Sequence, residues 1–401
     1  MALLAVEEAL ARVLDGLSPL EAERVAIENA HGRVLAEDLV ARLTQPPFDA
    51  SAMDGYAVRS TDVASLPARL RVVGVAAAGA GFKQRLGWGE AVRIFTGAPV
   101  PEGADTIVIQ ENAEEANGVV TIKEAAPERH IRPRGQDFRE GEALLFAGMR
   151  LGPRALMLAA AMSHAELLVR RKPKVAILAT GDEVAPPGFE LGPDQIVSSV
   201  PYGLAALIEA EGSEPMRLGI AKDDVESLVT LARSGKAADI LVTIGGASVG
   251  ERDLVARALA SEGLKLEFAK IAMRPGKPLL YGRLGVQRVL GFAGNPVSAL
   301  VSAHVFLRPM LRRLLGRAES KRPLPEALAG MTLKANGERQ HYMRAISEWR
   351  EDGTRIVSPL ASQDSALSAD LARADCLIVR EPLAPELPCG NRVRIIPLDS
   401  D

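Results

Sequence analysis

Two apolar runs of the chain end in glycines and acidic residues that could bind a phosphate group and a metal ion. Glycines after a strand let backbone N–H groups approach a phosphate closely, and the N-terminus of the next helix favours an anion. Carboxylates are hard oxygen ligands that suit Mg²⁺ bridging phosphate oxygens. For the second run, a turn in which Asp253 caps a helix is an alternative interpretation. The residues concerned are Gly181, Asp182 and Glu183 after the run 174–180, and Gly245, Gly246, Ser248, Gly250 and Asp253 after the run 239–244.

Two further segments combine prolines with cations or polar residues. Arg274 and Lys277 stand three residues apart in the string R-P-G-K-P, and a rigid pair of cations suits a phosphate or a tetrahedral oxyanion. A solvated turn is the alternative for this string alone. The string G-N-P-V-S at 294–298 lies between an apolar run and a helical pattern, where Pro296 suits the first helical turn. Ligands of open parallel sheets bind outside the carboxyl ends of the strands, so these four ends together predict one binding crevice.

Two polar islands interrupt an otherwise strand-like region. The segment 46–56 places Asp49, Ser51 and Asp54 in a short non-periodic run, and a second island at 95–99 contains Thr96. Tight turns with side-chain-to-backbone hydrogen bonds are the alternative explanation for each island taken separately.

The hydrophobic pattern predicts the elements that must position these residues. Residues 1–40 look helical, and residues 41–137 contain short apolar runs that are typical of a β-rich region. The segment 153–161 resembles a helix opened by proline. From 171 to 316, continuous apolar strands alternate with helices, which indicates a doubly wound α/β domain with a parallel sheet covered on both faces. Residues 324–401 carry short strand-like runs and predict a small β-barrel.

Composition excludes several classes of protein. The 401 residues carry a net charge of −3, which argues against broad electrostatic binding of nucleic acid. The sequence has no apolar run of about 18 residues or more, so we expect no membrane span. Two scattered cysteines favour a reducing compartment, and we expect a cytoplasmic protein. The motifs of P-loop ATPases, α/β-hydrolases, zincins and dinucleotide-binding dehydrogenases are missing.

The string F-D-A-S-A-M-D-G-Y-A-V at 48–58 resembles the signature of MoeA-type molybdopterin molybdenumtransferases, which the E domain of gephyrin also carries. The resemblance continues, in order, along essentially the whole chain. It runs through T-G-A-P-V-P-E-G-A-D (96–105), R-G-Q-D (134–137), T-G-D-E (180–183), G-G-A-S-V-G-E-R-D (245–253), R-P-G-K-P (274–278), G-N-P-V-S-A (294–299) and Q-D-S-A-L-S-A-D-L-A-R-A-D (363–375).

The resemblance implies a multidomain fold and an elongated homodimer. Residues 1–40 and 138–170 would form a linking, helical domain, and residues 41–137 the β-rich domain. Residues 171–316 would form a MogA-like, doubly wound α/β domain that binds molybdopterin, and residues 324–401 the C-terminal β-barrel. The resemblance places the site between the α/β domain of one subunit and the β-rich domain of the other. It also implies that a molybdopterin adenylyltransferase and apo-molybdoenzymes are pathway partners.

The resemblance further implies that molybdenum passes from molybdate to adenylylated molybdopterin, with Mg²⁺-dependent release of AMP. The implied catalytic carboxylates are Asp54, Asp137, Glu183, Asp223 and Asp253, and the implied metal ligands are Asp182, Glu183 and Asp253. The implied substrate-binding residues are Thr96, Gly181, Gly245, Gly246, Ser248, Gly250, Lys270, Arg274, Lys277, Pro296 and Ser298. The implied molybdate-facing residues are Lys277, Arg344 and Ser365.

The sequence departs from the family pattern at three places. Arg274 stands where a lysine is usual, Ala293 replaces a common proline, and Val200 follows Ser199 where a polar pair is usual. These departures leave open a catalytically diverged paralogue or scaffold. Tungstate, which has the charge and nearly the size of molybdate, is another alternative. The adenylyltransferase of the preceding step shares the α/β domain but lacks the β-rich domain and the barrel, which argues against that assignment.

Overall fold

Three six-stranded sheets organise the part of the chain that the computed structural model describes, namely residues 3–125, 129–246, 254–318 and 323–398. One sheet forms the β-rich region, one lies in the α/β domain, and one forms the C-terminal region. The predicted multidomain fold with these three parts is therefore confirmed.

The linking region is a mixture of helices and short strand pairs. Helix α1 (Val6–Leu14) ends just before Gly16, whose φ of +64° a helix cannot accommodate. The prediction that residues 1–40 are helical is wrong beyond α1, since the chain after it is mostly extended and pairs with the later segment. The remaining elements are β1 (Ala22–Ala26), β2 (Leu39–Val40), β11 (Ala143–Leu145), α2 (Pro153–Ala161) and β12 (Glu166–Arg170), with β1 antiparallel to β12 and β2 to β11.

The β-rich region is built on one sheet of order β7-β4-β6-β5-β9-β8 and a short pair, β3 with β10. Alternating burial along β9 places one face of this sheet against apolar side chains, and β6 contributes buried residues to clusters on both faces. The strands are β3 (Ala50–Ser51), β4 (Gly55–Val58), β5 (Ala68–Ala76), β6 (Glu90–Ile94), β7 (Thr106–Ile109), β8 (Ala113–Ala116), β9 (Val119–Ile122) and β10 (Ile131–Arg132).

The α/β domain has a mixed sheet of order β16-β13-β17-β21-β20-β18. Its first four strands are parallel, whereas β20 and β18 are antiparallel to their neighbours. The wholly parallel sheet predicted from the sequence is therefore wrong at this edge, because Gly285 (φ +63°) turns the chain directly from β20 into β21 as a hairpin. The elements are β13 (Lys174–Thr180), β14 (Val184–Ala185), β15 (Ile196–Val197), α3 (Val200–Ala210), β16 (Glu214–Ala221), α4 (Val225–Ser234), β17 (Ile240–Ile244), α5 (Leu254–Ser261), β18 (Lys265–Lys270), β19 (Met273–Arg274), β20 (Pro278–Leu284), β21 (Gln287–Phe292), α6 (Pro296–Ser302) and α7 (Arg308–Leu314).

The helix predicted for 296–315 is present, but its middle is a π-helical turn. This turn, Ala303–Leu307, lies between α6 and α7. Pro309 lacks an N–H and its ring would clash with the carbonyl four residues earlier, in Val305. The wider turn relieves that clash and lets the helix continue.

The C-terminal sheet closes into a five-stranded barrel because β23 pairs with both β24 and β25. The short strand β19 of the α/β domain adds to β23 in parallel, so the two domains share a sheet. The barrel elements are β22 (Glu326–Ala329), β23 (Gln340–Trp349), β24 (Arg355–Pro359), α8 (Ser368–Arg373), β25 (Cys376–Arg380) and β26 (Arg392–Pro397).

Helix α1 packs against the α/β domain, although the sequence groups it with the linking domain. Val6, Ala9 and Val13 belong to the same buried cluster as the residues of α7 and β21. The hydroxyl of Tyr281 donates to the carbonyl of Val13 at 3.3 Å. The predicted domain boundaries stay predictions. None of the helices in the described segments is long and apolar enough to cross a membrane.

Candidate active site

Glycines bring three turns into contact at the carboxyl edge of the α/β sheet. A Cβ atom on Gly245 would lie 2.7 Å from the carbonyl oxygen of Thr180, and one on Gly294 would lie 3.7 Å from the Cα of Gly245. The first distance is too short for any side chain, so the turns after β13 and β17 can approach only through glycine. The predicted phosphate-binding glycines Gly181, Gly245 and Gly246 all lie at this edge and have positive φ.

Exposed carboxylates line the same edge. Asp182 and Glu183 follow β13, and Asp223 follows the adjacent β16. The backbone N–H of Asp223 donates to Oδ1 of Asp182 at 3.2 Å, which brings these two predicted residues together. Among the described residues, no group of three or more histidines, cysteines or acids is arranged to hold a metal ion. The predicted residues Ser248, Gly250 and Asp253 lie outside the described residues.

A cleft of about 590 Å³ lies where β19 joins the barrel sheet. Arg274, Lys277 and Arg339 line it, together with the single acid Glu338. The cleft therefore has an excess of cations and suits an anion, for which an arginine provides a planar pair of donors. Lys270 is exposed at the end of β18, just before the turn that presents Arg274 and Lys277.

A buried histidine lies behind this cleft. The strand register places His341 opposite Arg274. Burial, followed by the charges of Arg274, Arg339 and Arg344, lowers the pKa of His341 to about 4. The imidazole is therefore neutral at neutral pH, and its Nε2 has no hydrogen-bond partner within the described segments.

The N-terminus of α6 meets a loop from the barrel. The side-chain amide of Asn295 donates to Oγ of Ser365 at 3.1 Å, and the N–H of Val297 donates to the carbonyl of Ser365 at 3.2 Å. The predicted residues Pro296 and Ser298 belong to this turn, where Ser298 is buried. Ser365 is thus joined to the α/β edge, as a residue of a shared site should be.

Arg344 is buried, with only 1% of its surface exposed. Its Nη2 donates to the carbonyl of Ser362 at 3.1 Å, and its Nη1 donates to the carbonyl of Leu367 at 3.4 Å. Gln363 completes the attachment, since its amide accepts from the N–H of Arg344 at 2.9 Å and donates to the carbonyl of Arg344 at 3.0 Å. The guanidinium of Arg344 thus holds the loop that carries Ser365, and the role of Arg344 at molybdate stays a prediction.

Asp54 and Thr96 form a second polar centre in the β-rich region. Oδ1 of Asp54 accepts the N–H of Thr96 at 2.7 Å and its hydroxyl at 2.8 Å. These hydrogen bonds, followed by the positive charge of Arg93, lower the pKa of Asp54 below its usual range. Thr96 is exposed and Asp54 is half-buried, so the ionised carboxylate is still partly open to solvent.

Asp137 lies in a different place, at the junction of the β-rich and linking regions. Its N–H donates to the carbonyl of Gln45 at 3.1 Å, and its side chain is exposed. The predicted site residues thus fall into an acidic sheet edge, which Ser365 meets at the start of α6, a cationic cleft, the Asp54–Thr96 centre, and Asp137.

Sequence reasoning missed four residues of these centres, namely Arg93, Asn295, Arg339 and His341. Asn295 stands inside the G-N-P-V-S string, so that string was the available signal. Arg93, Arg339 and His341 lie on or beside strands whose partners come from distant segments. Only the strand register reveals their positions.

Models of three family regions match most of the chain. They are described as "MoeA N-terminal region (domain I and II)", "Probable molybdopterin binding domain" and "MoeA C-terminal region (domain IV)". They match residues 4–163, 176–313 and 326–398, respectively.

Full-length relatives match the same architecture. The molybdopterin molybdenumtransferase of Haemophilus influenzae is 34% identical over 402 aligned residues, which cover 99% of each chain. Two crystal structures of molybdopterin biosynthesis MoeA proteins from Pyrococcus horikoshii superpose with TM-scores of 0.83. One is 32% identical and covers 100% of both chains, and the other is 26% identical and covers 98% of this chain and 99% of that one. The chain therefore belongs to the MoeA-type molybdopterin molybdenumtransferases, the family that inserts molybdenum into molybdopterin in molybdenum cofactor biosynthesis.

Proposed function

We propose that this molybdopterin molybdenumtransferase takes molybdate and adenylylated molybdopterin as its substrates and releases AMP as molybdenum reaches the dithiolene of the pterin. The observation that carries the proposal is the cation-lined cleft, which direct contacts join to the glycine-rich, acidic edge of the α/β sheet. A transfer between these substrates needs a place for an oxyanion close to a place for a phosphoanhydride.

The contacts that join the two places run through α6. A Cβ atom on Gly276 would lie 2.7 Å from Oγ of Ser302, so the turn that carries Arg274 and Lys277 rests on this helix. The helix begins in the turn where Gly294 approaches Gly245. A phosphate at the glycines and an oxyanion in the cleft would therefore lie on two sides of the same helix.

The cleft suits molybdate in charge and in donor geometry. Molybdate is a tetrahedral dianion, and Arg274, Lys277 and Arg339 supply three cations around it. The family usually has a lysine where Arg274 stands. Arginine keeps the charge and adds a planar fork that can donate two parallel hydrogen bonds to oxyanion oxygens.

The acidic edge suits Mg²⁺ as a partner of the phosphates. Protein-bound Mg²⁺ usually keeps several waters and takes one or two carboxylates together with phosphate oxygens. Asp182 and Glu183 meet that need because both are exposed beside the glycine turn. Asp253 is the third ligand that the sequence predicts. The bound ion would neutralise the charge that develops on the leaving phosphate.

The Asp54–Thr96 centre and Asp137 complete the site from a second copy of the chain in a homodimer. Supporting this, both hydrogen bonds from Thr96 fall on Oδ1 of Asp54, which leaves Oδ2 of this half-buried carboxylate for a ligand. A molybdopterin adenylyltransferase would supply the substrate, and apo-molybdoenzymes would receive the product.

The test is to incubate the purified protein with adenylylated molybdopterin, Mg²⁺ and molybdate, following AMP release and reconstitution of an apo-molybdoenzyme. We expect AMP release to depend on both molybdate and Mg²⁺. Lys277→Met should raise the molybdate KM by about tenfold or more, since it removes a direct cationic contact. Lys236→Met is the matched control, because Lys236 is exposed just ahead of β17, away from the carboxyl edge.

Other outcomes would identify the alternatives. Equal or better turnover with tungstate would assign the enzyme to that metal. Binding of the pterin without molybdate-dependent AMP release would indicate a diverged paralogue or scaffold. In that case Val200 and Ala293 are the first positions to restore to the family residues.

A further inference from the structure

Arg93 contacts the immediate neighbours of both Asp54 and Thr96. It lies on β6 directly opposite Tyr56 of β4, and its guanidinium lies 5.0 Å from the centroid of the Tyr56 ring. The guanidinium also lies 5.1 Å from the centroid of Phe95, which precedes Thr96. One arginine therefore packs between the two aromatic residues that flank the polar centre.

The hydrogen bonds of Arg93 reach the same backbone. Its Nη1 donates to the carbonyl of Gly55 at 3.2 Å, and Gly55 follows Asp54 in the chain. Its Nη2 donates to Oε1 of Gln110 at 2.6 Å, and the N–H of Gln110 donates to the carbonyl of Asp54 at 3.1 Å. Every group that Arg93 contacts in these bonds and ring contacts is thus within two residues or one hydrogen bond of the pair.

We propose that Arg93 is a positioning residue for the Asp54–Thr96 centre: it fixes the two loops in one register and supplies the positive charge beside the Asp54 carboxylate. The inference rests on the proposed participation of Asp54 in the transfer reaction. Arg93 itself touches no reacting atom. Both Thr96 bonds fall on Oδ1 of Asp54, so Oδ2 is the oxygen that can meet a ligand.

Charged and titratable groups surround the centre on β4, β6, β8 and the turn after β7. The positive charge of Arg93 acts on Asp54 in the same direction as the Thr96 hydrogen bonds. Tyr56, below the guanidinium, donates its hydroxyl to Glu115 at 2.8 Å, and burial raises the pKa of this phenol. Tyr56 therefore stays neutral in the range where Asp54 titrates. The charged neighbours are Arg93, Glu115 and Glu111, whose Oε1 accepts from the side-chain amide of Gln110 at 3.5 Å.

The experiment compares Arg93→Met and Arg93→Lys with wild type in molybdate-dependent AMP release as a function of pH. Arg93→Met should lower kcat by about tenfold through misplacement of the carboxylate, with little change in the molybdate KM. The acid limb of its pH–rate profile should move to higher pH, because removing the positive charge raises the pKa of Asp54. Arg93→Lys keeps the charge but loses the fork, so its acid limb should match wild type while kcat lies between the two.

Control variants distinguish a failure of the Asp54 assignment from a failure of the Arg93 assignment. Arg69→Met removes an exposed arginine from the same sheet and should behave as wild type, and thermal unfolding of each variant tests the fold. Full activity of Asp54→Asn would overturn the role of Asp54 and the inference with it. If Asp54→Asn is inactive but Arg93→Met matches Arg69→Met, only the role of Arg93 fails. A uniform loss at all pH values, equal in the Met and Lys variants, would also overturn it, since that is the pattern of a purely structural residue.

Discussion

Asp54 and Glu211 are carboxylates whose pKa values are both lowered, yet their surroundings give them different roles. The partly exposed Asp54 is held ionised mainly by the hydrogen bonds of Thr96. Burial tends to raise the pKa of Glu211, but hydrogen bonds and charges of the surrounding arginines outweigh burial and lower it. An exposed ionised carboxylate can meet a ligand, whereas one enclosed by arginines serves to hold the structure.

Thr96→Val should shift the pH dependence of the enzyme. The substitution removes the hydroxyl bond to Asp54 and keeps the backbone bond. Because hydrogen bonds to the charged form lower a pKa, losing one raises the pKa of Asp54. We therefore expect the acid limb of kcat/KM to move to higher pH, with the largest loss of activity in mildly acidic buffer. Thr96→Ser retains a hydroxyl and is the matched control. An acid limb that is identical in all three proteins would rule out Asp54 as the group that titrates.

At this scale the sequence predicts residue identities better than residue surroundings. The family resemblance selects Asp54 and Thr96, but their pairing across 42 residues becomes visible only in the sheet. It also selects Arg344, but it does not indicate that this residue is buried under the loop 360–367. Burial depends on which segment folds over a residue, and a motif does not contain that information.

Among the elements, the junction of α3 and α7 depends on one buried carboxylate. Glu211 caps the end of α3 and accepts hydrogen bonds from Arg308 and Arg312 of α7 and from Arg317. Arg308 also donates to the carbonyl of Pro397 at 3.1 Å, which ties the last barrel strand to the same cluster.

Glu211→Gln should lower the free energy of unfolding by about 3 kcal/mol, because it leaves buried arginines without their counter-charge. The folded-state pKa of Glu211 is lowered, so its contribution is present above the usual glutamate pKa of about 4.3 and is lost as the pH falls below it. The stability difference between wild type and variant should therefore shrink at acidic pH.

Urea unfolding between about pH 3 and pH 7 measures this difference in the free energy of unfolding. Glu209→Gln, at an exposed position of the same helix, should have almost no effect; comparable losses in both variants would contradict the prediction.

The loop 360–367 makes a second element-scale prediction. Gln363 and Arg344 attach it to β23, and Ser365 attaches it to α6. If the loop acts as a unit, Gln363→Ala should impair molybdate use and pterin binding to similar extents. Adding Ser365→Ala should then cost little more, since interactions in one network are not additive. Fully additive losses in kcat/KM, measured by titrating each substrate separately, would show that the two residues act independently.

Element prediction succeeded where the pattern was local. Strand β13 was predicted at 174–180 and β17 at 239–244, and both were found there or within one residue, because buried parallel strands are continuous apolar runs. The sequence pattern misses the antiparallel edge strand β18 and its neighbour β20, because each is bounded by charged or glycine residues that are typical of loops. Direction within a sheet depends on the connection, which here is a single tight turn.

The candidate catalytic carboxylates of the whole molecule lie in two different domains. A complementation experiment can therefore test whether one subunit or two supply the site. Asp54 lies in the β-rich sheet, whereas Glu183 lies at the edge of the α/β sheet. If the site is shared between subunits, Asp54→Asn and Glu183→Gln damage complementary halves of it. Each homodimer of a single variant should then be inactive.

Random heterodimers carry one site with both substitutions and one site with neither, and half of all dimers are heterodimers. Co-expression of the two variants should therefore restore about a quarter of wild-type AMP release. Light scattering establishes the dimer, and differently tagged chains purified in tandem should raise the recovery to about half. No recovery from a confirmed heterodimer would place Asp54 and Glu183 in the same subunit's site.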